Sequence, residues 1–127
     1  MGYAILIVDD SSVTRAVLKK TIQMTGADAT EFFEASDGQE ALAILSEKKV
    51  DLILADLNMP KMNGLEMTDK ILGNERTASI PIIVVSTEAS AARIKLLREK
   101  GVKGYVHKPF TPESIRNVLE EVFGVKC

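Results

Sequence analysis

The chain has 127 residues, of which 46% are hydrophobic and 27% charged, and its net charge is −2 at pH 7. This is the size of one ordinary globular domain with a single hydrophobic core. The balanced charge argues against a nucleic-acid binder, and the lone cysteine, Cys127, excludes an internal disulfide and a cysteine metal cluster. Because no apolar stretch reaches the ~20 residues of a membrane span, and the N-terminus lacks a basic signal region, we expect a cytoplasmic protein that does not bind membranes.

The first half of the sequence predicts two strand–helix units. Residues 4–8 are a continuous apolar run, typical of a strand covered on both faces, and Ser11 or Ser12 can cap the helix that follows. The apolar residues of that helix recur near helical spacing and are Val13, Val17, Leu18 and Ile22. Residues 29–35 carry two glutamates beside aromatic residues, so we place this strand at a sheet edge. Asp37 is then expected to cap the second helix.

The second half predicts three more units of the same kind. The apolar runs typical of buried strands are residues 51–55, 81–85 and 102–106. Helices are predicted over residues 64–72 and 90–100, each closed by a glycine, and a last helix begins after Thr111 with Pro112 in its first turn. The residues expected to face inward are Leu65, Thr68, Ile71 and Leu72, then Ala91, Ile94 and either Leu96 or Leu97, then Ile115, Val118, Leu119, Val122 and Phe123.

Strands that alternate with helices predict an α/β fold, in which helices cover both faces of a parallel sheet through right-handed crossovers. In such a sheet the C-terminal ends of all strands lie along one edge, and ligands bind in the crevice beyond them. The residues that directly follow each strand are therefore candidates for a functional site.

Polar side chains follow four of the five predicted strands. They are Asp9 and Asp10, then Asp56, then Ser86 and Thr87, and finally His107 and Lys108 before Pro109. Three carboxylates without a cysteine or a histidine pair favour a hard cation, and Mg²⁺ is the ion we expect. An aspartate beside such a cation and a lysine is suited to phosphoryl transfer through an acyl phosphate.

Each of these residues also has an ordinary structural explanation when it is taken alone. Asp10 is a possible helix cap, Asp56 a turn residue, Lys108 a solvated lysine and Ser86 a hydroxyl bonded to nearby backbone. Tyr105 is most simply an amphipathic aromatic residue on an edge strand. The convergence of four strand ends favours the functional interpretation. The sequence has neither of the glycine-rich nucleotide motifs, so nucleotide binding is unsupported.

The stretches that carry these residues resemble a response-regulator receiver domain over residues 5 to about 123. They are the Asp9-Asp10 pair, DLNMPKMNG around Asp56, PIIVVST with Ser86, and GYVHKPF with Lys108. The resemblance implies a flavodoxin-like (βα)5 fold with strand order 2-1-3-4-5. It also implies one receiver domain over residues 1–127, with no effector domain.

The resemblance assigns a role to each site residue. Asp56 would accept a phosphoryl group from the phosphohistidine of a histidine kinase. Asp9 or Asp10, together with Asp56 and the backbone carbonyl of Asn58, would hold Mg²⁺, and Lys108 would pair with phosphoryl oxygens. The protein would then be a phosphoacceptor with self-catalysed phosphotransfer and autodephosphorylation, not an enzyme in the usual sense.

The same resemblance implies a conformational switch. Ser86 would move toward the phosphoryl group and Tyr105 would swing inward, while the bond from Lys108 to Pro109 would be cis. The family usually has Ala or Gly after the switch hydroxyl, so Thr87 is a departure that we expect to narrow access to the phosphoryl site.

Asn58 and Glu88, which lie two residues after the phosphoacceptor and the switch hydroxyl, resemble the stand-alone chemotaxis type. Its partners would be a histidine kinase, an output target such as a flagellar motor or phosphorelay protein, and a phosphatase. We expect a monomer. The alternative is a Mg²⁺-dependent phosphatase of the haloacid-dehalogenase type. Its nucleophile follows the first strand in an Asp-x-Asp pattern, whereas Asp9 and Asp10 are adjacent here.

Overall fold

Ten elements alternate along the chain in this computed structural model, which describes residues 2–27, 29–57, 62, 64–87 and 90–124. They are β1 (Tyr3–Val8), α1 (Ser12–Met24), β2 (Ala29–Ala35), α2 (Gly38–Glu47), β3 (Leu52–Ala55), α3 (Gly64–Leu72), β4 (Ile82–Ser86), α4 (Ala91–Lys100), β5 (Gly104–His107) and α5 (Pro112–Phe123). The predicted elements are all present and differ from the observed ones only at their ends.

The five strands form one parallel sheet in the order β2-β1-β3-β4-β5, which confirms the predicted fold and strand order. In the centre of the sheet, Val8 at the end of β1 pairs with Ala35 of β2 and with Ala55 of β3. Because these three strands end in register, the residues that follow β1 and β3 lie side by side at the carboxyl edge.

The prediction that no effector domain accompanies this domain stays a prediction.

The side chains of the central strands alternate between two apolar layers, one on each face of the sheet. Helices α1 and α5 cover one face, where Leu18, Ile22 and Ile115 pack on strand residues. Helices α2, α3 and α4 cover the other, with Met67, Ile71 and Leu97 among the buried residues. Each fully buried side chain of this size contributes about 1.5–3 kcal/mol, which is why uninterrupted apolar runs form the strands. Within the described residues, no helix is long and apolar enough to cross a membrane.

The residues predicted to cap the helices do so in the structure. The Ser11 hydroxyl accepts a hydrogen bond from the Thr14 amide at 3.2 Å, so Ser11 and not Asp10 caps α1. The Asp37 carboxylate accepts one from the Glu40 amide at 2.9 Å. Thr111 caps α5, with Pro112 at the first helical position. These contacts satisfy backbone donors that the first helical turn leaves without partners.

Not every apolar residue of the helices faces the sheet, and the prediction that Ala91 faces inward is wrong. In α1, Val13 and Val17 are 71% and 47% exposed, because they form a separate i, i+4 pair beside the Leu18–Ile22 pair that faces the sheet. Ala91 is exposed as the first residue of α4, and only Leu97 of that helix is buried. The choice between Leu96 and Leu97 is therefore settled in favour of Leu97.

Candidate functional site

The strand register brings the first and third strand ends together at the carboxyl edge of the sheet. Asp9 and Asp56 directly follow β1 and β3 and are 2% and 8% exposed. Asp10 is exposed, and the three residues offer carboxylate oxygens that all lie within 4.8 Å of one another. The carboxylates expected to form a metal site are thus close together, and their oxygen donors are of the type that hard divalent cations prefer.

Asp9 is fixed by hydrogen bonds on several sides. Its amide donates to the carbonyl of Ala35 at 3.0 Å, which extends the pairing of β1 with β2. Its Oδ1 accepts a bond from the Ser11 amide at 2.9 Å, and its Oδ2 accepts one from Nζ of Lys108 at 2.9 Å. A carboxylate bonded in this way has one orientation, so it is preorganised at the bottom of the site.

Asp56 is held by neighbouring backbone. Its amide donates to the Val8 carbonyl at 2.9 Å, and its Oδ1 accepts from the Leu57 amide at 2.7 Å. The start of α3 packs directly behind it, since a Cβ atom added to Gly64 would lie 2.2 Å from the Asp56 carbonyl oxygen. Only glycine fits there, because the neighbouring atom belongs to the backbone that carries the Asp56 side chain.

Lys108 joins the two buried carboxylates. Its Nζ lies 2.9 Å from Oδ2 of Asp9 and 3.2 Å from Oδ2 of Asp56. Burial by itself would lower the pKa of Lys108, but the hydrogen bond to Asp9 and the charges of both aspartates outweigh burial and raise that pKa above 10.5. The side chain is therefore an ammonium at neutral pH. One ammonium among three carboxylates leaves a net negative site that suits a further cation.

The end of β5 brings Lys108 to the site. The Lys108 amide donates to the carbonyl of Ser86 at 2.8 Å, and its peptide bond to Pro109 is cis, the form that the resemblance implies. Ser86 ends β4 and is fully buried. The Tyr105 hydroxyl lies 3.5 Å from the same Ser86 carbonyl, at the limit of a hydrogen bond, and Tyr105 is half-buried. Thr87 is exposed.

Two predicted residues, Asn58 and Glu88, lie outside the described part of the chain.

One residue beside the site was not predicted from the sequence. Arg15 of α1 donates a hydrogen bond to the backbone carbonyl of Asp9 and another to Glu34 of β2. The only sequence signal is an arginine one helical turn into the helix that follows the Asp9-Asp10 pair.

A doubly wound parallel sheet with an aspartate-rich site and a lysine at its carboxyl edge defines a class of acidic α/β domains that bind hard cations or transfer phosphoryl groups. The model of the response regulator receiver domain family matches residues 5–120. The chain therefore belongs to this family.

Individual relatives agree with the family match. The chain is 39% identical over 121 residues to the chemotaxis protein CheY homolog of Campylobacter jejuni, which covers 94% of this chain and 92% of that protein. The structure of the chemotaxis response regulator CheY4 of Vibrio cholerae has a TM-score of 0.85 at 33% identity and covers 96% of this chain and 99% of its own. The receiver domain of a sensor histidine kinase from Pseudomonas aeruginosa has a TM-score of 0.83 at 25% identity, with 98% and 99% coverage. That structure is described with a magnesium ion coordinated in the active site cleft.

Response regulator receiver domains are the phosphorylation-activated switches of two-component signalling. Membership of this family makes the chain a signalling protein and not a classical enzyme. The phosphatase alternative finds no support in the family or in the related proteins.

Proposed function

We propose that the protein is a chemotaxis-type response regulator that is activated by phosphorylation of Asp56. The observation that carries the proposal is the position of the Asp56 carboxylate. It follows β3 beside two further aspartates, and its Oδ2 lies 3.2 Å from Nζ of Lys108. The relative from Campylobacter jejuni, named as a chemotaxis protein, supports the chemotaxis type. The phosphoryl donor is then a histidine kinase.

Asp9, Asp10 and Asp56, together with the backbone carbonyl of Asn58, would hold Mg²⁺. The convergent carboxylates and the description of magnesium in the related receiver domain support this assignment. When bound, the ion neutralises negative charge on the oxygens of the transferring phosphoryl group.

Transfer is a displacement at phosphorus in which the residues of the chain do most of the positioning. A carboxylate oxygen of Asp56 forms the new P–O bond while the P–N bond to the kinase histidine breaks, and the electron pair of that bond returns to the imidazole. Lys108 shifts from bonding two carboxylates to pairing with a phosphoryl oxygen. The chain thus promotes its own phosphorylation, and hydrolysis of the acyl phosphate by water releases inorganic phosphate and restores the Asp56 carboxylate. Thr87, exposed at this edge, limits the access of that water.

The signal passes from Asp56 to a surface formed by α4, β5 and α5. A phosphoryl group adds about −1.5 to −2 charge and several acceptors, so it recruits the Ser86 hydroxyl, and Tyr105 moves into the space that is released. The partner that recognises this surface is an output protein such as a flagellar motor or phosphorelay component, and a phosphatase ends the signal. The protein acts as a monomer.

Labelling with a small phosphodonor in the presence of Mg²⁺ tests this proposal. The wild-type chain is expected to take up one acid-stable, base-labile phosphoryl group, and Asp56→Asn is expected to take up none. Asp69→Asn is the matched control, because Asp69 is a solvent-exposed aspartate of α3 that pairs with Lys100 away from the site. Label that persists in Asp56→Asn contradicts the assignment of the phosphoacceptor.

A further inference from the structure

Arg15 connects three elements around the acidic site. Its side chain is only 16% exposed, and its Nε donates a hydrogen bond to Oε1 of Glu34 at 3.0 Å. Its Nη1 donates to the backbone carbonyl of Asp9 at 2.5 Å. One guanidinium thus joins α1 to the edge strand β2 and to the residue that directly follows β1.

The carbonyl that Arg15 contacts is shared by the two aspartates of the site. It belongs to the peptide unit between Asp9 and Asp10, and because a peptide unit is planar, a bond to this oxygen fixes the orientation of the whole unit. The amide and both carboxylate oxygens of Asp9 already have the partners described above. The Arg15 contact completes the constraint on that residue.

The direction of the Asp10 side chain depends on the orientation of this peptide unit more than that of Asp9 does. Asp10 is exposed, and in the part of the chain that the structure describes its side chain has no hydrogen-bond partner. Its carboxylate nevertheless comes within 4.8 Å of those of Asp9 and Asp56. The backbone leading into Asp10 is therefore what directs the carboxylate toward the site, and Arg15 holds the peptide plane that precedes it.

We propose that Arg15 is a positioning residue, oriented by Glu34, that fixes the Asp9–Asp10 peptide plane and thereby sets the affinity of the site for a divalent cation. The inference depends on the metal site of the proposed function. Arg15 is not needed for the start of α1, which Ser11 caps. Groups that orient metal ligands typically change metal affinity 10–100-fold when they are removed.

Charge alone is the competing explanation, since any cation near three carboxylates alters their electrostatics. Lysine separates the two explanations. Arg15→Lys keeps the positive charge, but an ammonium on a flexible chain cannot reproduce two donors held in a rigid plane. A positioning role therefore predicts that Arg15→Lys and Arg15→Gln both weaken cation binding. Charge alone predicts unchanged binding in Arg15→Lys and tighter binding in Arg15→Gln, because the loss of a positive charge favours a bound cation.

The test measures Mn²⁺ binding to the full chain without a phosphodonor, from the free-ion signal in electron paramagnetic resonance, with Mg²⁺ added as a competitor. Arg15→Lys and Arg15→Gln are both expected to weaken binding by about tenfold or more. Glu34→Ala leaves Arg15 without its orienting partner, so it weakens binding in the same direction and adds little to Arg15→Gln in the double variant. Arg76→Gln, which removes an exposed arginine next to α3, is the matched control and binds as the wild type does.

Wild-type affinity in Arg15→Lys or in Arg15→Gln overturns the inference. Thermal unfolding in a chelator shows whether each variant is folded, and Glu34→Ala carries the test if the Arg15 variants are not. A wild-type chain that binds neither ion overturns the metal site of the proposed function and this inference with it. A wild-type chain that binds the ions while all variants match it overturns only the role of Arg15.

Discussion

The Lys108 ammonium offsets the repulsion between two neighbouring carboxylates, Asp9 and Asp56, in one largely buried site. Asp9 is 2% exposed and Asp56 is 8% exposed, so their mutual repulsion is poorly screened by solvent. Nζ of Lys108 lies 2.9 Å from one carboxylate and 3.2 Å from the other. Removing this cation while both carboxylates stay ionised would leave two buried negative charges without the ammonium between them, which costs more than the loss of a surface ion pair.

Lys108→Met is therefore expected to lower the free energy of unfolding by about 1–3 kcal/mol at neutral pH in a chelator. Because the folded-state pKa of Lys108 is raised above the ordinary 10.5, the stabilisation by its ammonium is complete below pH 10.5 and is lost as the pH rises through the raised value. Urea unfolding of both proteins across this range measures the difference. Lys20→Met, at an exposed position of α1, is the control. A difference that stays constant into strongly alkaline solution would contradict this account.

Single residues differ in how far the sequence predicts them. Asp9, Asp56 and Lys108 could be predicted because residues that follow parallel strands must meet at one edge of the sheet. Arg15 could not, because its role depends on how far a long side chain reaches across two other elements, and no spacing rule gives that reach. The closeness of Gly64 to the Asp56 backbone is likewise a property of helix–strand packing.

Among the secondary-structure elements, β5 and α5 pack closely at Gly104. A Cβ atom added to Gly104 would lie 2.6 Å from Cγ2 of Val118 and 3.4 Å from Cγ1 of Ile83. Val118 is buried and β-branched, so it cannot turn away freely. Glycine in this strand is therefore a packing requirement of the α5 contact.

Gly104→Ala is expected to destabilise the protein by about 1–3 kcal/mol through overpacking. The clash is with a side chain, so Val118→Ala in the same chain is expected to recover part of that loss even though it leaves a cavity by itself. Denaturant unfolding of both single variants and the double variant forms a double-mutant cycle. Strictly additive losses would show that the two residues do not compete for space.

The sequence predicted strands better than helix faces for a physical reason. A strand buried on both faces must be apolar throughout, so β1, β3 and β4 are visible as continuous runs. A helix buries only one stripe, and α1 offers two adjacent i, i+4 pairs of similar apolarity. Only packing against the sheet decides between them, which is why Leu18 and Ile22 are buried while Val13 and Val17 are not.

Across the whole molecule, α4 is the helix with the weakest attachment to the core. Leu97 is its only buried residue, while the covering helices α1, α2, α3 and α5 each bury three or more. Elements with few buried apolar contacts open at low free energy and are suited to change conformation. Helix α4 also follows β4, which ends at Ser86, so this weakly attached helix is the next helix along the chain after the site residue Ser86.

Phosphorylation of Asp56 is therefore expected to slow amide hydrogen exchange in α4 and β5 and to leave α2 unchanged. Ser86→Ala is expected to accept the phosphoryl group and yet lose most of this slowing, because it lacks the hydroxyl that is proposed to move toward that group. Shifting a two-state equilibrium from 1:99 to 99:1 takes about 5.5 kcal/mol, and each tenfold slowing of exchange corresponds to about 1.4 kcal/mol of it. Hydrogen exchange measured by mass spectrometry on phosphorylated and unphosphorylated protein gives this comparison. Equal slowing in Ser86→Ala would mean that the signal reaches α4 without passing through Ser86.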